Sequence, residues 1–135
     1  MKAFRLATLE EDAWELESGE ARHAEAPDSF QIPSRDVRES LSVGDAVKLL
    51  FNIESEGESG LERNVERMWV IIRERVGDLY VGVLDSSPCS IEPDPDFLAR
   101  GSEVVFGPEH IVDVSSPSSE YILEHYGKEF LRHEH

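Results

Sequence analysis

Cysteine is almost missing from this chain: Cys89 is the only one in 135 residues. That excludes an internal disulfide and suits a reducing compartment. Basic residues are scarce as well, with 13 Lys and Arg against 29 Asp and Glu and a formal charge of −16. Such a surface repels phosphate backbones and anionic lipid, which disfavours nucleic-acid and membrane-surface binding and favours a basic protein partner. No apolar run approaches membrane-spanning length, and Met1-Lys2-Ala3-Phe4-Arg5 leads into acidic residues rather than a signal-peptide core. The expected location is the cytoplasm. A Gly-rich phosphate loop is lacking too, since Gly57 and Gly60 sit among glutamates that an anionic ligand would avoid. The length fits a single domain, 1–135, with a core that needs neither disulfide nor metal.

What is present is a hairpin signal at the centre of the chain. Over residues 65–76, Glu66, Met68, Val70, Ile72, Glu74 and Val76 alternate with Val65, Arg67, Trp69, Ile71, Arg73 and Arg75. The first set is apolar in its middle and faces the core. The second places a Trp and an Ile between arginines, too apolar for a fully wet face. Gly77-Asp78 reverses the chain into Leu79-Tyr80-Val81-Gly82-Val83-Leu84. Gly82 within that strand implies a bulge or the close approach of another backbone.

Around this hairpin the other segments fall in order. Thr8 and Glu11 form a capping-box pattern for a short helix with Leu9, Ala13 and Leu16 along one side, Trp14 adjoining, and Gly19 as its stop. Residues 20–29 are polar and charged and read as a surface connection, and 1–28 as a whole reads alternatively as a loosely attached N-terminal arm. Ser34 caps a helix over residues 35–41. Val43-Gly44-Asp45 feeds a half-buried strand over residues 46–53. Residues 55–64, with two glycines and several glutamates, read as a long flexible hairpin loop. Pro93-Asp94-Pro95-Asp96 starts a turn anchored by Phe97 and Leu98. Val104-Val105-Phe106 and Ile111-Val112-Asp113-Val114 are short strands flanking a Gly107-Pro108 turn. A C-terminal helix carries Ile122, Tyr126 and Phe130 as an apolar stripe and packs on the open side of the sheet.

The titratable candidates are weak individually. His110 lies near Glu109 and Asp113 without metal-ligand spacing, so a structural role is favoured. His133 and His135 belong to the chain end. Cys89 is followed by Glu92, Asp94 and Asp96, whose charge raises a thiol pKa and argues against a nucleophile. Carboxylates are too abundant for any pair to stand out as general acid and base. Trp69 with Arg67, Arg73 and Tyr80 has the composition of a binding hot spot; the competing reading covers Trp69 with a terminal helix. The candidate binding set is therefore Trp69, Arg67, Tyr80, His110 and Asp113, with no catalytic, cofactor or metal residue assigned.

Several segments also carry a family likeness: Ile32-Pro33-Ser34-Arg35, Val43-Gly44-Asp45 with Val47-Lys48-Leu49, Glu66-Arg67-Met68-Trp69-Val70, Gly82-Val83-Leu84, and Val104-Val105-Phe106 with His110-Ile111-Val112-Asp113. Together, over residues 29–114, they resemble the YegJ-like group of small bacterial domains of unknown function, which is similar to certain polymorphic-toxin immunity proteins. Where that group often has Asn before x-Pro, this chain has Ser86 ahead of Ser87-Pro88. The resemblance implies a cytoplasmic bacterial module with no established reaction.

The combined expectation is an α+β fold. A small, strongly bent antiparallel sheet of four to five strands, at the limit an SH3-like partial barrel, fills 29–114, with peripheral N- and C-terminal helices, the latter over 115–135. The expected function is non-enzymatic protein binding, immunity-like or accessory. The alternative is a small-ligand binder or enzyme with a pocket between the sheet and residues 87–97. No cofactor is expected, and the sequence pattern sets no oligomeric state.

Overall fold

The structure, a computed structural model, describes residues 4–92, 94 and 96–127. The sequence readings at Pro93, Pro95, Phe130, His133 and His135 lie outside these. In chain order the elements are α1 (Leu9–Asp12), β1 (Trp14–Leu16), α2 (Gly19–Glu25), α3 (Arg35–Glu39), β2 (Ala46–Gly57), β3 (Gly60–Val76), β4 (Leu79–Leu84), β5 (Glu103–Phe106), a 3₁₀ turn (Pro108–His110), β6 (Ile111–Ser115) and α4 (Ser119–Tyr126). The fold is α+β, an open antiparallel sheet curled into a half-barrel.

Neighbouring strands run β2–β3–β4–β5, and the outer edge of β2 is shared end to end by two short strands. β6 pairs with Ala46, Val47, Lys48 and Leu49, while β1 pairs with Phe51, Asn52 and Ile53. The sheet is thus five positions wide although six strands build it. In the run β2 to β6 a 3₁₀ turn precedes the last strand, which returns beside the first and curls the sheet into a partial barrel.

Alternation along the strands decides what lies inside. Val47, Leu49, Phe51 and Ile53 from β2, Met68, Val70 and Ile72 from β3, Tyr80 and Leu84 from β4, and Val104 and Phe106 from β5 form the main core, closed by Trp14, Leu98 and Ile111. The outer face of β2–β4 carries a second, smaller cluster. Ala46, Ile71 and Val83 lie beneath Ile122 of α4, with Trp69, Tyr121 and Tyr126 packed around them. The C-terminal helix therefore covers the outer side of the sheet beside Trp69. Gly82 is where two backbones meet, since an added Cβ would lie 2.4 Å from the Ile71 carbonyl oxygen. The bulge is on the facing strand, between Ile72 and Glu74.

Three sequence expectations are corrected. Residues 55–64 are not a flexible loop: β2 and β3 stay paired out to Gly57 and Gly60, and only Glu58-Ser59 turns. No apolar period marks the segment because neither of its faces meets the core, yet the hydrogen-bonded ladder simply continues outward.

The helix expected around Leu9, Ala13 and Leu16 also ends early. Its cap forms as expected, with the Glu11 N–H donating to Thr8 Oγ1 at 3.2 Å. Ala13 then takes a left-handed conformation, φ 61°, and the chain leaves as β1. Leu16 is spaced from Ala13 for a helix and from Trp14 for a strand, and burial of Trp14 against Phe51, ring centroids 5.5 Å apart, favours the strand.

Finally, Gly19 starts a helix rather than stopping one. Ser18 caps α2 by accepting from the Ala21 N–H, and residues 19–25 are helical where a plain surface connection was expected. Gly19 is needed for closeness, because a Cβ there would meet Val112 Cγ1 at 2.8 Å.

Candidate functional site

Pairing across the sheet sets one row of side chains on the outer face: Asp113 on β6, Lys48 on β2 and Trp69 on β3 are direct neighbours. Side chains of directly paired residues project to the same side. Arg67 lies two residues along β3 from Trp69 and so shares that face. The Lys48 ammonium stands 4.8 Å from the Trp69 ring centroid, and the Arg67 guanidinium 5.3 Å from that of Phe30. Phe30 belongs to the loop between α2 and α3. Lys48, Arg67 and Phe30, with Ile32, Val112 and Asp113, line a hollow of about 470 Å³.

The loop that walls this hollow is fixed at both ends. The Phe30 N–H donates to the Ala26 carbonyl at 2.8 Å. His23 Nδ1 donates to the Phe30 carbonyl at 2.6 Å, which places its proton on that nitrogen because a carbonyl only accepts. At the far end the Arg38 Nε–H donates to the Pro33 carbonyl at 2.9 Å. Arg38 is itself buried and also reaches Glu20 at 2.7 Å and the Pro108 carbonyl at 3.0 Å, joining α2, α3 and the 3₁₀ turn.

Nearer α4, Trp69 borders a second hollow, about 330 Å³, with Ala46, Ile71, Asp85 and Tyr121. Asp85 follows β4, and its backbone N–H donates to the Trp69 carbonyl at 2.8 Å. Its carboxylate accepts from Tyr121 at 2.8 Å, from Tyr126, and from Arg100 at 3.0 Å. Burial first, and then the hydrogen bond to Asp85, raise both tyrosine pKa values above the usual phenol range. Trp69 is accordingly half-buried, flanked by Lys48 on one side and α4 on the other.

The five candidate residues divide. Arg67 and Asp113 line one hollow and Trp69 adjoins it through Lys48. Tyr80 does not belong there: it is fully buried in the main core, where its hydroxyl donates to the Arg38 carbonyl at 2.8 Å and accepts from the Leu41 N–H at 3.3 Å. It alternates onto the interior of β4, opposite to the Trp69 face.

His110 is also set apart. It is buried at the end of the 3₁₀ turn, with Nδ1 accepting from the Gly107 N–H at 2.9 Å. Burial lowers its pKa, opposed by the nearby Glu109 and Glu20 carboxylates. Hence Trp69, Tyr80, His110 and Asp113 do not converge on a pocket beside residues 87–97. That loop is instead pinned to the sheet: Glu66 accepts from the Cys89 and Ser90 N–H groups at 2.8 and 2.9 Å. Burial raises the Glu66 pKa, but these bonds and one from the Ser90 hydroxyl outweigh it and hold the carboxyl below its usual range. Cys89 is free and exposed.

Sequence reasoning missed Lys48, Phe30, Arg38 and Asp85. Lys48 is visible as the single cation of β2, set in the apolar run from Ala46 to Phe51 and alternating onto the face opposite Val47 and Leu49. Phe30 was visible as a lone aromatic in a polar stretch. Among the described residues no group of three or more His, Cys, Asp or Glu is placed to hold a metal. Also among them, no helix is long and apolar enough to cross a membrane.

These elements define a curled-sheet α+β domain with a charged hollow on its outer face. Comparison with protein-family models, curated proteins and solved structures returns no match to the chain.

Proposed function

We propose that the chain is a non-enzymatic protein-binding module, immunity-like or accessory in kind, that takes a basic partner through its acidic surface in the cytoplasm. The observation that carries this reading is the outer part of the β2–β3 hairpin. Residues 54–57 and 60–63 pair only with each other among the described strands. Glu54, Glu56, Glu58 and Glu62 cluster there against Arg63 alone, and Leu61 is 70% exposed beside them. Negative charge steers a basic partner, and an exposed Leu gives it an apolar anchor. The free Cys89 and the YegJ-like resemblance support a cytoplasmic, immunity-like setting.

The test is affinity capture from the source cell at low and moderate salt, with wild-type bait beside a bait carrying Glu54→Gln, Glu56→Gln, Glu58→Gln and Glu62→Gln. A basic partner is expected on the wild-type bait, weakening with salt and lost from the variant. Recovery of no partner at either salt concentration, or equal recovery on both baits, overturns the proposal.

A further inference from the structure

The hollow beside Arg67 has a property that the acidic surface does not explain. Arg5, Arg22, Arg35, Arg38, Arg63, Arg73 and Arg100 each pair with a carboxylate. Among the described residues, Lys48, Arg67 and Arg75 have no such pair, and Arg75 donates instead to the backbone carbonyls of Gly77 and Glu39. In a protein with more than twice as many acids as bases, the two cations left over line the same hollow. Neither donates a side-chain hydrogen bond to the protein among the described residues. Each is placed by an aromatic ring, a contact that fixes a cation without consuming its N–H donors.

The geometry points to a binding site for a small organic monocarboxylate with an apolar body, held by Arg67 and Lys48. A guanidinium recognises a carboxylate through two parallel N–H bonds, with the ammonium as a second donor. Asp113, on the same wall, offsets one of the two positive charges and leaves a local balance that suits a monoanion. A phosphate dianion meets both Asp113 and the field of the acidic surface. Phe30, Ile32 and Val112 supply apolar wall for the ligand's body. The volume lies within the range of about 300–1,000 Å³ usual for small-ligand sites. The anchored ends of the Phe30 loop mean that little ordering accompanies binding.

Phenylacetate, acetate and inorganic phosphate are the probes, titrated into the full chain and followed by amide chemical shifts. Phenylacetate is expected to saturate at millimolar concentration or below. Its shifts centre on Phe30, Lys48, Arg67 and Asp113. Acetate binds at least about tenfold more weakly for want of an apolar body, and phosphate does not compete. Arg67→Gln and Lys48→Met each weaken phenylacetate about tenfold, while Arg63→Gln, which removes a paired arginine elsewhere on the sheet, leaves it unchanged. Arg67 is exposed and Lys48 half-buried, so neither variant opens the core, and the same spectra verify folding. The inference is overturned by no saturable shift up to about 20 mM phenylacetate. Undiminished binding in Arg67→Gln, or phosphate binding as tightly as phenylacetate, overturns it equally.

Discussion

Tyr121 on α4 donates its phenol hydrogen to the Asp85 carboxylate, just beyond β4, at 2.8 Å. With Tyr126 and Arg100 on the same carboxylate, this contact fastens the last described helix over Trp69. Asp85→Ala removes the acceptor for all three donors while leaving Ile122 in place. A charge-assisted hydrogen bond contributes about 1.5–3 kcal/mol, enough to shift α4 towards an undocked state. Trp69 fluorescence, in a Trp14→Phe background, becomes more accessible to acrylamide. Unchanged quenching would mean that apolar packing alone holds the helix. The raised tyrosine pKa values set the pH dependence. Docking is fully present below the ordinary phenol value of 10.0 and is lost as pH rises through the folded-state values.

Gly82→Ala tests the close approach of β3 and β4. The new methyl meets the Ile71 carbonyl oxygen at 2.4 Å and Val70 Cγ1 at 2.6 Å, and the first of these is backbone that does not swing aside. A loss of about 1–3 kcal/mol is expected, read as a lower denaturation midpoint with an unchanged denaturant slope. By contrast, Leu61→Ser at the exposed hairpin shifts stability by no more than about 0.5 kcal/mol.

Arg38→Leu separates the loop of the charged hollow from the body of the fold. It removes the donor to the Pro33 and Pro108 carbonyls and leaves them unsatisfied, at a cost of about 1–3 kcal/mol each where they stay buried. Amide exchange accelerates at Phe30, whose N–H donates to the Ala26 carbonyl, ahead of the strands. Equal acceleration throughout the chain would show that Arg38 supports the global fold and not the loop in particular.

His110 gives a pH signature near neutrality. Its folded-state pKa lies below the ordinary 6.5, chiefly through burial, so the unfolded chain takes up the proton first as pH falls. Stability from this residue is complete above about pH 7 and declines from 6.5 down to the folded value. The gap in stability between pH 7.5 and pH 5.5, measured by urea denaturation, narrows in His110→Gln. An unaltered gap assigns that pH dependence to the carboxylates.

The parts of the fold legible in the sequence are those whose two faces differ in burial. Met68-Trp69-Val70 and the Gly77-Asp78 turn declare their strands because burial imposes period two on them. Residues 54–63 have two wet faces, so nothing in their composition separates the paired strands of a hairpin from its connecting loop. Leu16 satisfies two periods at once, with Ala13 for a helix and with Trp14 for a strand, and only the partner Phe51, far along the chain, decides between them. The charged hollow was half legible. Arg67, Trp69 and Asp113 stood out as residue types, but Lys48 became their neighbour only through strand register. Tyr80 and His110 have the chemistry of site residues, whereas burial commits both to holding the chain in shape.

The divided outer edge of β2 has a consequence for synthesis. β1 occupies its distal part, but Ala46 to Leu49 are completed only by β6, some 60 residues later in the sequence. A nascent chain that has made β2, β3 and β4 therefore presents a bare row of amide and carbonyl groups bordered by Val47 and Leu49. Such a row is a template for another chain's strand until residue 115 emerges from the ribosome. Truncation upstream of β6 is expected to yield aggregates and no smaller folded core.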